Sequence, residues 1–585
     1  MDMKRLKLVG VGFAVLFGVI FMRAIMIHLF PNSSETLETI AKNQYQKPLR
    51  LAASRGNIFD HRKVPLAISV QSPSFAINPK VFKPSTREIQ KLARILDLKP
   101  QKIKSLMAQD RYFAWLKRKV HHSAAQSVRN LDLPGLFQIM EPNRFYPGGN
   151  IGANFIGYVG IDNQGLLGIE DRYNQHLTGL NTEAVLSRDA RGQPIFRNPQ
   201  KATPEAPGHN LVLTIDRVIQ EISEESLQTW IKKSGAKSGF AIVADPHTGR
   251  VLAMANYPSF DPNFRQSNLA RTKNFAVADS FEPGSVVKPM VIAQAIETGK
   301  TTADEVHNCE KSGVLRIGPK NRIRDDHPKE YLSTAEVIVH SSNICTFKIA
   351  QRLGPEELYK TYLSYGFGDS NFSMNLPGET RGRISDWQKW RPIRFANISF
   401  GQGHLVNGME MVRAYSVLAN GGNLISPYIL DRIESSDGKI ISSPHPFSRK
   451  KIISPETAKI MREILRQTVE NGTATQAISE HFTTAGKTGT SEKVDPLTKA
   501  YSDDKRIASF AGFSPTKDPH IVVYVVIDEP KQKPYYGGVW AAPVFREIVD
   551  KTLRYLNVPP DKISSISISS DHESSKPVGK QQTRL

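Results

Sequence analysis

Residues 281–290 read FEPGSVVKPM, and the reading of the chain turns on this stretch. Pro283-Gly284 break the backbone, Ser285 follows, and Lys288 stands three residues on, where the apolar segment PMVIAQAIE begins. That segment predicts a helix, and on a helix residues i and i+3 share a face. Lys288 would then lie beside Ser285 at the helix start. A free lysine has a pKa of about 10.4, but Val286, Val287 and Met290 supply apolar surroundings, and these and the positive end of the helix dipole favour the neutral amine. Such an amine can take the proton of the serine hydroxyl and make it a nucleophile without any histidine. Ser-x-x-Lys by itself is weak: it occurs six times here, starting at Ser234, Ser285, Ser436, Ser448, Ser502 and Ser514. Ser285 alone follows Pro-Gly and opens a long apolar segment. The alternative is a serine cap followed by a surface lysine.

Two further clusters follow. In YLSTAEVIVHSSNICTFKIAQRLG (331–354), Ser333 and Glu336 form a capping-box pattern that predicts a helix start. The helix runs into Ser341-Ser342-Asn343, and a second one ends at Gly354. Ser341 and Asn343 are thus predicted at a helix–helix junction, where a hydroxyl can pass a proton and an amide can hold the lysine or a substrate carbonyl. Read alone, Ser-x-Asn is a plain turn, and it recurs at Ser373 to Asn375. In FTTAGKTGTSEK (482–493), Lys487-Thr488-Gly489-Thr490 reads as a strand edge bounded by glycines. Gly489 is expected to leave room for a ligand backbone, and Lys487 with the threonine hydroxyls suits a carboxylate. A backbone N–H near Thr490, with that of Ser285, would make an oxyanion hole. Alone, this segment reads better as a solvated turn.

Outward from these clusters, 585 residues exceed one ordinary core and predict two or three domains. LVLTI (211–215) predicts a strand and Val218 to Ile231 a helix. FAIVADPHTGRVLAMAN predicts two strands joined by a turn, ASFAGFSP and HIVVYVVIDEP two more, and VWAAPVFREIVDKTLRYL a closing helix. Strands at both ends of a segment with a helical middle predict a sheet assembled from distant pieces, with helices packed on it. KATPEAPGHN (201–210) reads as a linker, and residues 559–585 as disordered.

Lys4, Arg5 and Lys7 precede an unbroken apolar run from Leu8 to Met22; after Arg23 it resumes to Phe30. Residues 8–30 as a helix span roughly 34 Å, enough for a bilayer core, and the basic flank predicts a cytoplasmic N-terminus. No small-x-small site follows, which points to an uncleaved anchor. The formal net charge is +21, but the basic residues are scattered and no nucleic-acid-binding motif accompanies them. They read as solvated faces, with no nucleic-acid partner. Cys309 and Cys345 could pair outside the cytoplasm or be two small buried hydrophobes; spacing does not decide. No cluster with metal-ligand spacing is found, and no cofactor is expected.

Ser285-x-x-Lys288, Ser341-x-Asn343 and Lys487-Thr488-Gly489, in that order, resemble the signature of the penicillin-binding proteins and serine β-lactamases. EPGSVVKPM, RDARGQPI (188–195), VLAMANYPSFDPN (251–263) and YYGGVWAAPVF (535–545) are similar to the class B penicillin-binding protein of the division septum, the FtsI type. SRGNIFDHRKVPLA (54–67), RFYPGGNIGANFIGYVG and GLLGIEDRYNQHLTG resemble its non-catalytic domain. The resemblance runs from the anchor to about residue 558. It departs at Asp60-His61-Arg62-Lys63, where the family usually has Asp-Arg-Asn-Gly, and at Val286, where threonine is common. The first departure bears on a loop away from the chemistry; the second alters one wall of the site.

The resemblance implies an α+β (α/β) protein in five parts. These are a cytoplasmic tail 1–7, a single-pass anchor 8–30, an elongated non-catalytic pedestal or dimerisation domain 31–205, a transpeptidase domain 206–558 with a central antiparallel sheet flanked by helices, and the tail 559–585. It implies a D,D-transpeptidase of peptidoglycan stem peptides at the inner-membrane division site, facing the periplasm, and a β-lactam target. Ser285, Lys288, Ser341, Asn343 and Lys487 would be catalytic; Thr488, Gly489 and Thr490 would bind the donor. A SEDS-family glycosyltransferase and other division proteins are the implied partners. An elongation-type relative usually reads Pro-Pro-Gly before its serine, so Glu282-Pro283-Gly284 favours the septal type. A carboxypeptidase would hydrolyse the same acyl-enzyme. Against a β-lactamase, no Glu-x-x-Leu-Asn element stands between Asn343 and Lys487.

Overall fold

The computed structural model describes residues 3–29, 46–51, 53–180, 182–188, 194–195, 206–264, 268–444, 449–494, 498 and 500–562. The linker residues 201–205, most of RDARGQPI and the tail from 563 lie outside the described residues. The N-terminal apolar run is a helix, Met3–Leu29, and its 21 residues Leu6–Met26 are long and apolar enough to cross a membrane. At 1.5 Å per residue they extend about 31 Å.

The C-terminal region is built on the sheet expected from its separated pieces. Five antiparallel strands lie in the order Val251–Tyr257, Ser238–Ala244, Ile521–Asp528, Tyr501–Ser514, Ala485–Val494. Two come from the start of the segment and three from its end. Strand Ser238–Ala244 is buried at every position, because alternate residues meet different layers. Ala241 and Val243 pack with Leu227 and Ile548, from the helices Arg217–Ser234 and Ala542–Tyr555. Phe240 and Ile242 pack with Met290 and Met411, from Lys288–Glu297 and Gly408–Ala419. Gly408–Ala419 is buried all round, and its two charged residues find partners inside: Glu410 accepts from the N–H groups of Gly368 and Gly382, and Arg413 donates to Asp369. The result is a mixed α+β fold with helices on both faces of an antiparallel sheet.

The N-terminal part is organised around the strand Pro65–Ile77, which pairs with Leu136–Phe145 from Ile68↔Phe145 to Ile77↔Leu136. Helices Thr86–Ile95, Pro100–Met107 and His122–Arg129 pack a separate small core around Phe75, Phe82 and Leu92. A seven-stranded sheet then crosses the boundary expected between 205 and 206. In it, Ile58–Phe59 pairs in parallel with Asn210–Leu213, and Leu430–Glu434 adds to the far side of Asn210–Leu213.

The departure at residues 60–63 still makes a tight turn. The Asp60 carboxylate accepts from the backbone N–H groups of Arg62 (2.8 Å), Val64 (2.7 Å) and Arg217 (3.2 Å). Lys63 takes the left-handed conformation, φ 65°, at the position where the family usually has glycine, and its amine pairs with Glu434. The turn therefore docks on the sheet that crosses the two regions.

The N-terminal region also holds a buried ion cluster. Glu170 is fully buried and receives Arg55 Nε and Arg144 Nε, each at 2.6 Å, with Tyr146 OH at 3.3 Å. Arg55 also donates to the Glu170 carbonyl at 2.6 Å, and burial lowers the Arg55 pKa. Glu170→Ala is expected to leave two buried guanidinium groups without their anion and to cost about 3–5 kcal/mol, read as a drop in the urea midpoint. An unchanged midpoint would mean that the cluster is not what ties these loops together.

Candidate active site

The serine stands on a turn that the sheet shapes. Gly284–Val287 is a single 3-10 turn, and Lys288–Glu297 continues it as an α-helix with Pro289 in its first turn. Gly284 has φ 64°, and a Cβ there would sit 2.9 Å from the Thr490 carbonyl oxygen, so only glycine lets the turn press on the strand Ala485–Val494. Gly284 N–H donates to Gly401 O (2.9 Å) and Tyr415 OH to Val286 O (2.9 Å), pinning the turn from both sides. Ser285 opens onto a cleft of about 580 Å³, whereas Lys288 is fully buried beneath it.

The Lys288 amine meets the second cluster. Its Nζ lies 2.6 Å from Ser341 O, 3.2 Å from Ser341 Oγ and 2.7 Å from Asn343 Oδ1. Ser341 holds φ 61°, a conformation that costs a non-glycine residue about 1 kcal/mol or more, and it joins the helices Thr334–Val339 and Asn343–Leu353 at the predicted junction. Two of the three partners, the carbonyl and the amide oxygen, only accept. A neutral amine satisfies both with its two N–H bonds and keeps its lone pair for a hydroxyl. Burial pushes the Lys288 pKa down to about 7, and Asp325 and Asp326 oppose that shift.

Asn343 is oriented by residues outside the three motifs. Its Nδ2 donates to Arg324 O at 2.8 Å, which turns Oδ1 toward Lys288. Asp325 caps the helix: its carboxylate accepts from Asn343 N (2.6 Å), Ile344 N (3.0 Å) and Ser342 Oγ (2.6 Å). The alternative left open for the cysteines resolves as a disulfide between Cys309 and Cys345, and Cys345 lies in the first turn of the same helix.

The third cluster closes the opposite wall. Lys487, Thr488, Gly489 and Thr490 lie on the edge strand Ala485–Val494, and Thr488 and Thr490 line the cleft. Lys487 is fully buried, with Nζ 3.3 Å from Thr488 Oγ1 and 3.4 Å from Thr473 Oγ1. The two threonine hydroxyls are 2.9 Å apart. Burial first, and then the charge of Lys288, hold the Lys487 pKa well below its ordinary value. Gly489 corrects one expectation. A Cβ there would lie 2.4 Å from Ser509 Oγ, 2.9 Å from Val286 Cγ1 and 3.1 Å from Pro283 O. The space its missing side chain frees is taken by the serine turn and not left for a ligand.

Ser285, Ser341, Asn343, Thr488 and Thr490 therefore share one cleft, with Lys288 and Lys487 in its walls. Thr473, Asp325 and the ion pair Glu492–Arg506 (2.9 Å) at the cleft edge were not singled out in the sequence. No local pattern marks them; they reach the site through tertiary contacts.

A family model of the penicillin-binding protein transpeptidase domain matches residues 239–550, and one of the penicillin-binding protein dimerisation domain matches residues 50–213. The chain belongs to the class B penicillin-binding proteins. It is a serine-type peptidoglycan D,D-transpeptidase. This penicillin-binding protein is 33% identical over 565 residues to the probable peptidoglycan D,D-transpeptidase PenA of Neisseria gonorrhoeae, covering 95% of this chain and 94% of the relative. It is 30% identical over 521 residues to the peptidoglycan D,D-transpeptidase FtsI of Buchnera aphidicola, covering 87% and 88%. The crystal structure of penicillin-binding protein 3 of Mycobacterium tuberculosis complexed with aztreonam superposes with a TM-score of 0.68 at 27% identity, over 88% of this chain and 98% of that one.

Proposed function

We propose that this penicillin-binding protein cross-links stem peptides at the division septum through an acyl-enzyme on Ser285. The observation that carries the reading is the buried Lys288 amine, one turn from Ser285 and hydrogen-bonded to Asn343 and Ser341. Ser285 Oγ attacks the carbonyl of the penultimate D-Ala, and its proton passes to the lone pair of Lys288. The oxyanion is held by the backbone N–H groups of Ser285 and Thr490. As the tetrahedral intermediate collapses, Ser341 and Lys487 relay a proton to the departing D-Ala amine. Asn343 orients Lys288 and the donor amide. Thr488 and Thr490 hold the terminal carboxylate, which also favours the charged form of Lys487; Gly489 contributes by letting the serine turn approach the strand. The amine of a neighbouring stem then attacks the acyl-enzyme, forming the cross-link and freeing Ser285.

A β-lactam would acylate Ser285 in the same way, but the opened ring stays attached and no leaving group departs. The helix Met3–Leu29 would anchor the chain in the inner membrane, N-terminus inside, with the catalytic domain outside. The Cys309–Cys345 disulfide supports an extracytoplasmic setting, where such bonds persist. A SEDS-family glycosyltransferase and other division proteins would work beside it.

Fluorescent penicillin labelling of the full chain tests the chemistry. Wild type is expected to label and Ser285→Ala to remain dark; label on the Ser285→Ala variant would remove the nucleophile assignment. Rapid turnover of nitrocefin would reassign the enzyme to the β-lactamases. Depletion in the parent bacterium separates the roles: filaments support septal work, and rounded cells would mean elongation.

A further inference from the structure

Beside the cleft lies a charged surface that the acyl-transfer site does not use. The hairpin Val314–Ile317 and Asn321–Arg324 sets Leu315 opposite Ile323 and Arg316 opposite Arg322. Leu315, Ile317 and Ile323 join a small core with Ile344, Phe347 and Phe400. The two-residue period of a strand turns Arg316, Arg322 and Arg324 to the other face. All three are exposed, as is Lys320 at the turn. The helix Pro392–Ser399 packs on the opposite, apolar side of the hairpin through Ile393 and Ala396, so the arginine face belongs to the hairpin alone.

Three of the nearby acids are engaged elsewhere, and a fourth, Asp326, lines the cleft. Glu310 pairs with Lys348, Glu330 lies 3.9 Å from Lys311, and Asp325 caps the Asn343 helix. Among the described residues none of the four shelf cations, Arg316, Lys320, Arg322 and Arg324, forms an ion pair with a carboxylate. Like charges directly opposite each other across a hairpin are destabilising, so the Arg316–Arg322 pair is a standing cost to the free protein that an anion would relieve. The hairpin also leads into the cleft: it continues into Asp325, Asp326 and His327, which line it.

We propose that this cationic shelf docks the carboxylate-rich stem peptides of an uncrosslinked peptidoglycan strand and guides that strand toward Ser285. The proposal rests on the transpeptidase reading above. Along a strand, Arg322 and Arg324 are about 7 Å apart, the spacing at which an extended peptide presents alternate groups to one side. An anion that must reach the cleft fits a hairpin that ends there. A lipid headgroup has no such requirement.

The test uses the full chain in detergent and sacculi whose cross-links have been cut by an endopeptidase. Wild type is expected to co-sediment with these strands, less so as salt rises. Arg316→Glu/Arg322→Glu is expected to bind about tenfold more weakly, while its rate of labelling by fluorescent penicillin stays that of wild type. The same labelling shows that the variant is folded; should it not be, Arg316→Gln/Arg322→Gln replaces it. Glycan stripped of its stems by an amidase is expected to bind poorly. Equal binding by variant and wild type, equal binding of stripped glycan, or equally tight binding to vesicles of anionic phospholipid would each overturn the shelf. Wild-type protein that fails to label with penicillin would instead overturn the transpeptidase reading.

Discussion

Lys288→Met is expected to slow acylation of Ser285 by fluorescent penicillin roughly a thousandfold, the range for loss of a general base. Methionine fills a similar apolar volume, so the buried helix start should survive the change. The wild-type rate should also depend on pH with a definite sign. Burial lowers the Lys288 pKa to about 7. Below that pH the amine keeps its own proton and cannot take one from Ser285; above it the base is free. Acylation should therefore rise as pH increases through about 7 and level off beyond, and the residual rate of Lys288→Met should lack that inflection. A wild-type rate independent of pH across this window would mean that some other group receives the proton.

Removing the disulfide is the second large effect. Cys309 and Cys345 are 36 residues apart in sequence, and the loop they close contains the cationic hairpin, Asp325, Ser341 and Asn343. By the chain-entropy relation, a loop of that size contributes about 4 kcal/mol. Cys309→Ala/Cys345→Ala should lower the thermal midpoint by several degrees, and labelling should slow because the segment that orients Asn343 loses its tether. A reductant should reproduce the loss in wild type and leave the double variant unmoved. Equal midpoints for the oxidised and reduced wild type would show that packing alone holds the loop.

The parts of the site that could be read from the sequence are those that local order carries. Ser285 and Lys288 share a helical turn, Ser341 and Asn343 follow a capping box, and Lys487 to Thr490 sit on a strand flanked by glycines. What could not be read is contact across the chain. Asp325 reaches Ser342 from 17 residues away, and Thr473 reaches Lys487 across 14; neither lies in a pattern with a periodicity. The contact between Gly489 and the Val286 side chain is of the same kind, because Val286 stands on another element. The central sheet was legible because buried apolar runs announce strands. The sheet that crosses residue 206 was not, because Ile58–Phe59 has only two residues and its partner is distant.

That crossing sheet bears on how the enzyme can be cut down for study. A fragment beginning at residue 206 would keep Asn210–Leu213 but lose the parallel neighbour that covers one side of it. The bared strand would offer its unpaired N–H and C=O groups to any other chain, the ordinary route to aggregation. Arg217 would also lose the Asp60 carboxylate that receives its N–H. A soluble version that removes only the N-terminal helix keeps both.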